Sequence, residues 1–236
     1  MPLPADSAIA VMGVTGSGKS SFIRGITGSG SAKVGFGLRS ETWEIQTFRL
    51  RIPSGTISLV DMPGFDDTER ADFEIIEQLV DWVQKSAANG LNLAGVLFLH
   101  PITHNRLQSS SRQMLSAFKN LLGNEYFKKV LLIKTFWNDV QLSVGEQRER
   151  ESMESSDAWK AMISAGAQTE RMGRDYERFI PLLESIAGSS APRLLIQVEL
   201  SQGKSIEQTM AGFVARSHMR RAGPPPSRVE SHNVVE

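Results

Sequence analysis

Residues 8–23 read AIAVMGVTGSGKSSFI and place a short apolar run directly before a glycine-rich turn. Residues 8–12 are apolar throughout, which predicts a buried β-strand. Residues 13–20 match the pattern Gly-x-x-x-x-Gly-Lys-Ser, in which a glycine-rich loop joins a strand to a helix and binds phosphate. We therefore predict a strand, a phosphate-binding turn and a helix over residues 19–27.

Each residue type in this turn has a separate chemical role. The glycines leave the backbone free to wrap an anion, and the following helix adds the positive end of its dipole. Lys19 would reach the β and γ phosphates, which also makes it a candidate catalytic residue, and the hydroxyl of Ser20 would ligate magnesium. The alternative is an ordinary Gly/Ser loop. The candidate nucleotide-binding residues here are Gly13, Thr15, Gly16, Ser17, Gly18, Lys19, Ser20 and Ser21.

A second motif follows a predicted hairpin formed by residues 43–52 and 56–60. The second of these strands ends in Asp61, a carboxylate that would complete the magnesium site. Three residues later comes Gly64, whose N–H group could contact a γ-phosphate and move when that phosphate is lost. The pattern Asp-x-x-Gly is weak evidence alone, and its position after a buried strand strengthens it.

Thr42 ends the Gly/Ser-rich segment between these two motifs. A GTPase places a threonine hydroxyl of its first switch on magnesium, and Thr42 is our candidate for that ligand. The alternative is a threonine that only begins a strand, because nothing in the spacing requires a ligand there.

The rest of the chain alternates apolar strand patterns with helical ones, which predicts an α/β fold with a mostly parallel central sheet, one antiparallel hairpin strand and helices on both faces. Residues 1–7 are an extension, 8–216 one domain, and 217–236 a Pro-rich tail that we expect to be disordered. The further predicted strands cover residues 93–99 and 130–133, and the helices cover 72–85, 114–122, 146–165, 192–200 and 205–214.

Composition excludes several function classes. The chain has 26 basic and 26 acidic residues, so no charge excess favours nucleic acid or anionic lipid as a partner. Cysteine is absent, which excludes disulfides and thiolate zinc sites. No stretch approaches the roughly 20 apolar residues of a transmembrane helix, and no signal peptide is evident. We expect a cytoplasmic protein.

Two stretches carry a family resemblance: residues 9–23, IAVMGVTGSGKSSFI, and residues 59–68, LVDMPGFDDT. They resemble the septin-like branch of the GTPases, which contains the immunity-associated GTPases and the chloroplast outer-envelope import receptors, and look closest to a fungal set of that branch. Looser likeness appears at residues 100–106 and 195–200. The resemblance implies a three-layer Ras-like P-loop fold, binding of GTP, GDP and magnesium, slow hydrolysis, and homodimers that pair across their nucleotide faces.

The sequence departs from this pattern where GTPases recognise the base. The usual motif, Asn/Thr-Lys-x-Asp, is replaced after the fifth core strand by residues 134–139, KTFWND. Asn138 would occupy the carboxylate position, and its amide accepts hydrogen bonds through one oxygen only, unless Asp139 replaces it. Trp137 is a candidate for stacking on the base, or else a core anchor. Ser190 and Ala191 are a weak candidate for the last base motif, or else a helix cap.

Catalysis is also atypical, because Phe65 follows Gly64 where Ras-type enzymes keep a water-orienting glutamine. We expect slow turnover by a monomer, assisted if a partner supplies a polar or cationic group. Arg106 is a candidate for this catalytic role, or else a solvated loop residue. His100 and His104 are interpreted as structural or interfacial residues, because two histidines on a loop need a further ligand to bind a metal.

Three functions remain open. The first is a GTP-binding switch or assembly module with weak, magnesium-dependent hydrolysis. The second is a nucleotide-binding scaffold that never hydrolyses, which Phe65 and the missing base motif favour. The third is a P-loop kinase for a small metabolite, against which the Asp-x-x-Gly motif argues.

Overall fold

The computed structural model describes residues 7–28, 45–64, 72–88, 90–104, 109–155 and 159–222. The strands are β1 (Ser7–Gly13), β2 (Gln46–Ile52), β3 (Gly55–Asp61), β4 (Asn92–Pro101), β5 (Val130–Thr135) and β6 (Gln168–Arg171). The α-helices are α1 (Lys19–Thr27), α2 (Asp72–Ala88), α3 (Ser109–Leu122), α4 (Leu142–Glu154), α5 (Lys160–Ser164), α6 (Ile180–Ala187), α7 (Leu195–Ser201) and α8 (Met210–Ala222). Strands and helices alternate along most of the chain, as an α/β fold requires.

The strands form one sheet in the order β2-β3-β1-β4-β5-β6. Neighbouring strands are parallel except β2 and β3, which form an antiparallel hairpin around the turn before Gly55. This confirms the expected α/β fold with one antiparallel strand. Because β1 lies between β3 and β4 in parallel, the residues that follow these three strands meet at the same edge of the sheet.

Side chains of β1 alternate between two hydrophobic cores, one on each face of the sheet. Ala8, Ala10 and Met12 join a core that also contains residues of α2, α3 and α8. Ile9 and Val11 join the opposite core, which contains residues of α1 and α6. A strand that is buried on both faces reads as a continuous apolar run, which explains why residues 8–12 lack polar side chains.

Several elements differ from the sequence expectation. The segment 146–165 is split into α4 and α5, and the fully buried Trp159 lies directly before α5. The helix predicted over 192–200 begins at Leu195, and the one over 205–214 is a 3-10 turn followed by α8. The backbone of α8 stays helical to Ala222, beyond the tail boundary expected at residue 217.

One strand and one α-helix were not predicted at all. β6 has only four residues, all exposed or half-buried at the edge of the sheet, so it lacks an apolar pattern. α6 has Pro181 in its first turn, a position where proline is tolerated because its missing N–H would have no partner in the helix. In the part of the chain that the structure describes, no helix combines the length and apolarity needed to cross a membrane.

Candidate functional site

The glycine-rich turn connects the end of β1 to the start of α1. Gly13 has φ +147°, and a Cβ there would collide with the carbonyl oxygen of Leu99 on β4. Gly18 precedes α1 in the left-handed region, with φ +92°, and its carbonyl accepts the first helical hydrogen bond from the N–H of Phe22 at 2.8 Å. Both positions need glycine because L side chains rarely adopt these backbone conformations. The sequence pattern thus corresponds to an actual steric requirement.

Lys19 folds back over the turn. Its Nζ donates to the carbonyl oxygens of Gly13 at 3.2 Å and Val14 at 3.1 Å, and the side chain is buried. Burial lowers the pKa of Lys19, and the negative charge of Asp61 partly opposes that effect. The amine therefore lies in a desolvated position where an anionic ligand would stabilise its charge.

Ser20 and Asp61 are brought together by the sheet. β1 and β3 run parallel with Val11 opposite Asp61, so the end of β3 lies beside the start of α1. The hydroxyl of Ser20 donates to Asp61 Oδ2 at 2.8 Å. Burial raises the pKa of Asp61, while the bond from Ser20 and the charge of Lys19 lower it. The carboxylate is thus held at the turn with its charge only partly compensated.

The oxygen atoms of Ser20 and Asp61 fit a magnesium ion. Mg²⁺ prefers oxygen ligands and is usually held by one or two carboxylates together with substrate phosphates and water. Among the described residues there is no group of three His, Cys, Asp or Glu side chains that could hold a metal ion. Phosphate oxygens and water would therefore complete the coordination of a magnesium ion held by Ser20 and Asp61. The candidate third ligand, Thr42, lies outside the described residues.

The Asp-x-x-Gly segment is in contact with the phosphate-binding turn. The N–H of Met62 donates to the carbonyl oxygen of Val11 at 3.2 Å. A Cβ built on Gly64 would lie 2.8 Å from Thr15 Cα and 2.9 Å from Thr15 N, and would also overlap the hydroxyl of Thr15. Only glycine lets these two backbones approach so closely, so a shift of one segment must be felt by the other.

The segment after β5 forms another side of the turn. The hydroxyl of Thr135, fully buried, donates to the carbonyl oxygen of Ser17 at 3.0 Å and so attaches β5 to the turn. Phe136 follows with a positive φ of 61°, and its ring lies near Gly18. The Met172 side chain, directly after β6, also lies near Gly18. Thr135, Phe136 and Met172 were not among the residues predicted to form the site.

Trp137 packs away from the turn in its described contacts. Its indole N–H donates to the carbonyl oxygen of Lys134 at 3.1 Å, and the Arg171 guanidinium lies 4.2 Å from the ring centre. A Cβ on Gly145 of α4 would lie 2.8 Å from the indole, so the helix approaches the ring closely. Asn138 and Asp139 are exposed in the 3-10 turn that Trp137 begins. Trp137 is half-buried, and its contacts do not decide between base stacking and a core anchor, so stacking stays a prediction.

Ser190 and Ala191 are not near the phosphate-binding turn. They line a cavity of about 520 Å³ together with Ser7 and Asn92, the first residues of β1 and β4. In a parallel sheet these strand starts lie at the edge opposite to the turn. The weak assignment of this pair to the base site was therefore wrong. The Met172 side chain, which follows β6, is the one that approaches Gly18: a Cβ built there would lie 3.6 Å from Met172 Cε.

A buried polar cluster lies near the carboxyl ends of β4 and β5. His100 and Lys134 are direct neighbours on β4 and β5, with Lys134 Nζ 3.4 Å from His100 Nδ1. The same ammonium group donates to Ser152 Oγ at 2.9 Å and lies 4.2 Å from the ring centre of Trp159. Burial is the main cause that lowers the pKa of Lys134 to about 7 and the pKa of His100 well below 6.5.

The remaining candidate residues have simpler positions. Thr15, Gly16 and Ser21 are exposed, around the turn and on the first turn of α1. His104 is exposed, with its ring 5.7 Å from that of buried His100. Arg106, the candidate catalytic arginine, lies outside the described residues.

A family model described as 50S ribosome-binding GTPase matches residues 8–133, more than half of the chain and the segment from β1 into β5. This segment contains the phosphate-binding turn and Asp61. A sequence comparison with curated proteins finds no match.

Solved structures with the same fold include Toc33 from Arabidopsis thaliana in complex with Mg²⁺ and GMPPNP, with a TM-score of 0.61, 13% identity, and coverage of 80% of this chain and 88% of that one. Toc33 with GDP and Mg²⁺ has a TM-score of 0.61 at 16% identity, covering 80% and 87%. The cytosolic domain of the T. maritima FeoB iron transporter, in a GDP form, has a TM-score of 0.54 at 14% identity, covering 95% and 88%. At these identities the likeness concerns the fold.

Proposed function

Because the chain belongs to the family described as 50S ribosome-binding GTPase, we propose that it binds GTP and GDP and hydrolyses GTP slowly with magnesium, acting as a nucleotide-dependent switch or assembly module. The observation that carries the proposal is the hydrogen bond between Ser20 and Asp61 at the start of α1. It joins the two halves of a magnesium site that lie 41 positions apart in the sequence.

The roles of the residues follow from their positions. The backbone N–H groups of the turn and the ammonium group of Lys19 would bind the phosphates, and Ser20 and Asp61 would hold the metal, with Thr42 proposed as a further ligand. Bound magnesium would neutralise charge on the β and γ phosphates. Gly64 would respond to loss of the γ-phosphate, since its backbone approaches Thr15 of the phosphate-binding turn closely.

The electrostatics of the site support a charged ligand. Burial destabilises the charged forms of both Lys19 and Asp61, whose pKa values it shifts in opposite directions. A triphosphate beside Lys19 and a divalent cation beside Asp61 would remove both penalties at once. Paired desolvated groups of opposite sign at an accessible turn are typical of functional sites.

Slow turnover is proposed because Phe65 cannot orient a water molecule. A second copy of the chain could supply the missing group across the nucleotide faces, and Arg106 is the proposed donor. Solved structures with the same fold support this arrangement: one is a dimerization-deficient mutant of Toc33, and dimerization is important for the GTPase activity of atToc33 and psToc159. The resemblance of residues 9–23 and 59–68 to the septin-like branch of the GTPases supports the same proposal, because it implies homodimers that pair across their nucleotide faces.

A nucleotide-binding scaffold without hydrolysis is the second candidate, and the apolar Phe65 favours it. Identifying the nucleotide that co-purifies with the protein separates the two. GDP is expected for a slow GTPase, whereas intact GTP would support the scaffold and contradict hydrolysis. The metabolite-kinase alternative receives no support from the 520 Å³ cavity, which opens at the far edge of the sheet.

Lys19→Ala tests the phosphate site itself. We expect this variant to purify without nucleotide, because it removes the ammonium group that lies over the turn. Lys160→Ala removes an exposed lysine from α5 and is the matched control, expected to retain nucleotide. Equal nucleotide content in the two variants would contradict the proposed site.

The dimer proposal is tested by single-turnover hydrolysis at increasing protein concentration. The rate constant is expected to rise with concentration in the wild type and to stay low in Arg106→Ala. Arg150→Ala, an exposed arginine on α4, is the control and is expected to behave as wild type. A rate constant independent of protein concentration would count against pairing.

A further inference from the structure

Phe136 has an unusual backbone conformation at the edge of the site. With φ 61° and ψ 37° it is the one described residue other than glycine that has a positive φ. Bulky side chains rarely adopt this region, and such strain persists only where the surrounding structure enforces it. Strained residues of this kind cluster at ligand-binding positions, so the orientation of the Phe136 side chain calls for a functional explanation.

The ring of Phe136 faces the last glycine of the phosphate-binding turn. A Cβ built on Gly18 would be 3.6 Å from Phe136 Cζ and 3.6 Å from Met172 Cε. The two apolar side chains come from different loops, which are joined by a hydrogen bond of 2.7 Å from Met172 N–H to the Lys134 carbonyl. The structure thus builds an apolar wall directly beside the turn that would hold the phosphates.

Polar recognition of the base is weak on the same side. A guanine-specific site needs a carboxylate that accepts from two N–H groups at once. Asn138, which the family resemblance would put at that position, is exposed like Asp139, and neither side chain makes a hydrogen bond to another described residue. Nothing described therefore orients them toward the turn. Trp137 is held between Arg171 and Gly145.

We propose that Phe136, supported by Met172, is the residue that binds the base, by stacking, and that the site consequently accepts GTP and ATP with little discrimination. The inference rests on the proposed nucleotide-binding function and specifies its substrate class as purine nucleoside triphosphates. An aromatic face attracts every purine because each has a π face, whereas hydrogen bonds are needed to distinguish guanine from adenine.

The test is calorimetric titration of the nucleotide-free protein with Mg-GTP and Mg-ATP. In the wild type, the two dissociation constants are expected to agree within about tenfold. Phe136→Ala is expected to raise both dissociation constants by roughly tenfold, the loss typical of one base stacked on one aromatic ring, and to leave the ratio of the two constants unchanged. Phe136→Tyr keeps the aromatic face and is expected to bind as wild type. Phe213→Ala, an exposed phenylalanine on α8, is the control.

The outcomes separate this inference from the function on which it rests. If the wild type binds neither nucleotide, the proposed function fails. If it binds GTP more than about a hundredfold tighter than ATP, or if Phe136→Ala binds both as wild type does, nucleotide binding stands and the stacking inference is overturned. Phe136→Leu serves where the alanine variant does not fold, because it keeps an apolar side chain near Gly18 and lacks a π face. It is expected to show the same loss.

Discussion

Replacing Lys134 by methionine should remove a large pH dependence from the stability of the fold. Lys134 is 3% exposed, and its ammonium group contacts Ser152, His100 and the face of Trp159. The acidic group that supports its charge is Glu149 on α4, and this effect is smaller than that of burial. Burial therefore lowers the pKa of Lys134 from 10.5 to about 7.

The size of the effect follows from these two pKa values. Between pH 7 and pH 10.5 the unfolded chain keeps the Lys134 proton and the folded chain has lost it, so the unfolded state binds more protons. Stability consequently rises with pH across this window and is lost as the pH falls toward 7. At about 1.4 kcal/mol per pH unit, the free energy of unfolding should gain roughly 5 kcal/mol over the whole window.

Urea denaturation of the nucleotide-free protein at half-unit steps from pH 7 to pH 10 measures this contribution. The difference between wild type and Lys134→Met in the free energy of unfolding should change by about 1.4 kcal/mol per pH unit in favour of the wild type. Lys160→Met removes an ammonium group from an exposed position on α5 and controls for loss of a charge. A difference that is constant with pH would refute the reasoning, because it would mean that the buried amine stays protonated.

Two further substitutions test contacts around the turn. Gly64→Ala would place a methyl group within 2.9 Å of the backbone of Thr15, so the two segments must separate. We expect urea denaturation to show a destabilisation of about 1–3 kcal/mol, and calorimetry to show a weaker affinity for GTP. An unchanged affinity for GTP would argue against this close approach. Thr135→Val keeps the shape of the side chain and removes the hydroxyl that donates to the Ser17 carbonyl oxygen. We expect the free energy of unfolding to fall by about 1–2 kcal/mol. An unchanged free energy of unfolding would mean that this hydrogen bond contributes nothing.

The parts of the site that the sequence predicts are those encoded by local patterns. The turn over residues 13–20 depends on glycines whose backbone conformations no other residue adopts easily, so the pattern and the geometry correspond. Asp61 could be selected because an apolar strand ends there, and parallel pairing brings that strand end beside the turn. The α/β fold followed from the alternation of strand and helix patterns.

The residues after β5 and β6, where we propose that the base binds, could not be predicted from the sequence because these elements lack a clear pattern. Met172 follows β6, a four-residue edge strand of polar residues, and nothing local indicated that it lies against Gly18. Phe136 became notable only through its positive φ, which sequence does not reveal. The pair Ser190 and Ala191 was assigned incorrectly because so short a motif recurs by chance, and only the sheet topology shows at which end of the strands it lies.

The magnesium dependence of GTP binding tests the central claim most directly. Affinity would be measured by calorimetry with excess magnesium and with a chelator, for the wild type and for Asp61→Asn, with Asp81→Asn as an exposed control on α2. We expect magnesium to tighten binding in the wild type and in Asp81→Asn, and Asp61→Asn to lose most of that gain while binding as wild type in the chelator. A full magnesium gain in Asp61→Asn would contradict the assignment of Asp61 as a magnesium ligand, and with it the role of Ser20, whose hydroxyl donates a hydrogen bond to this carboxylate.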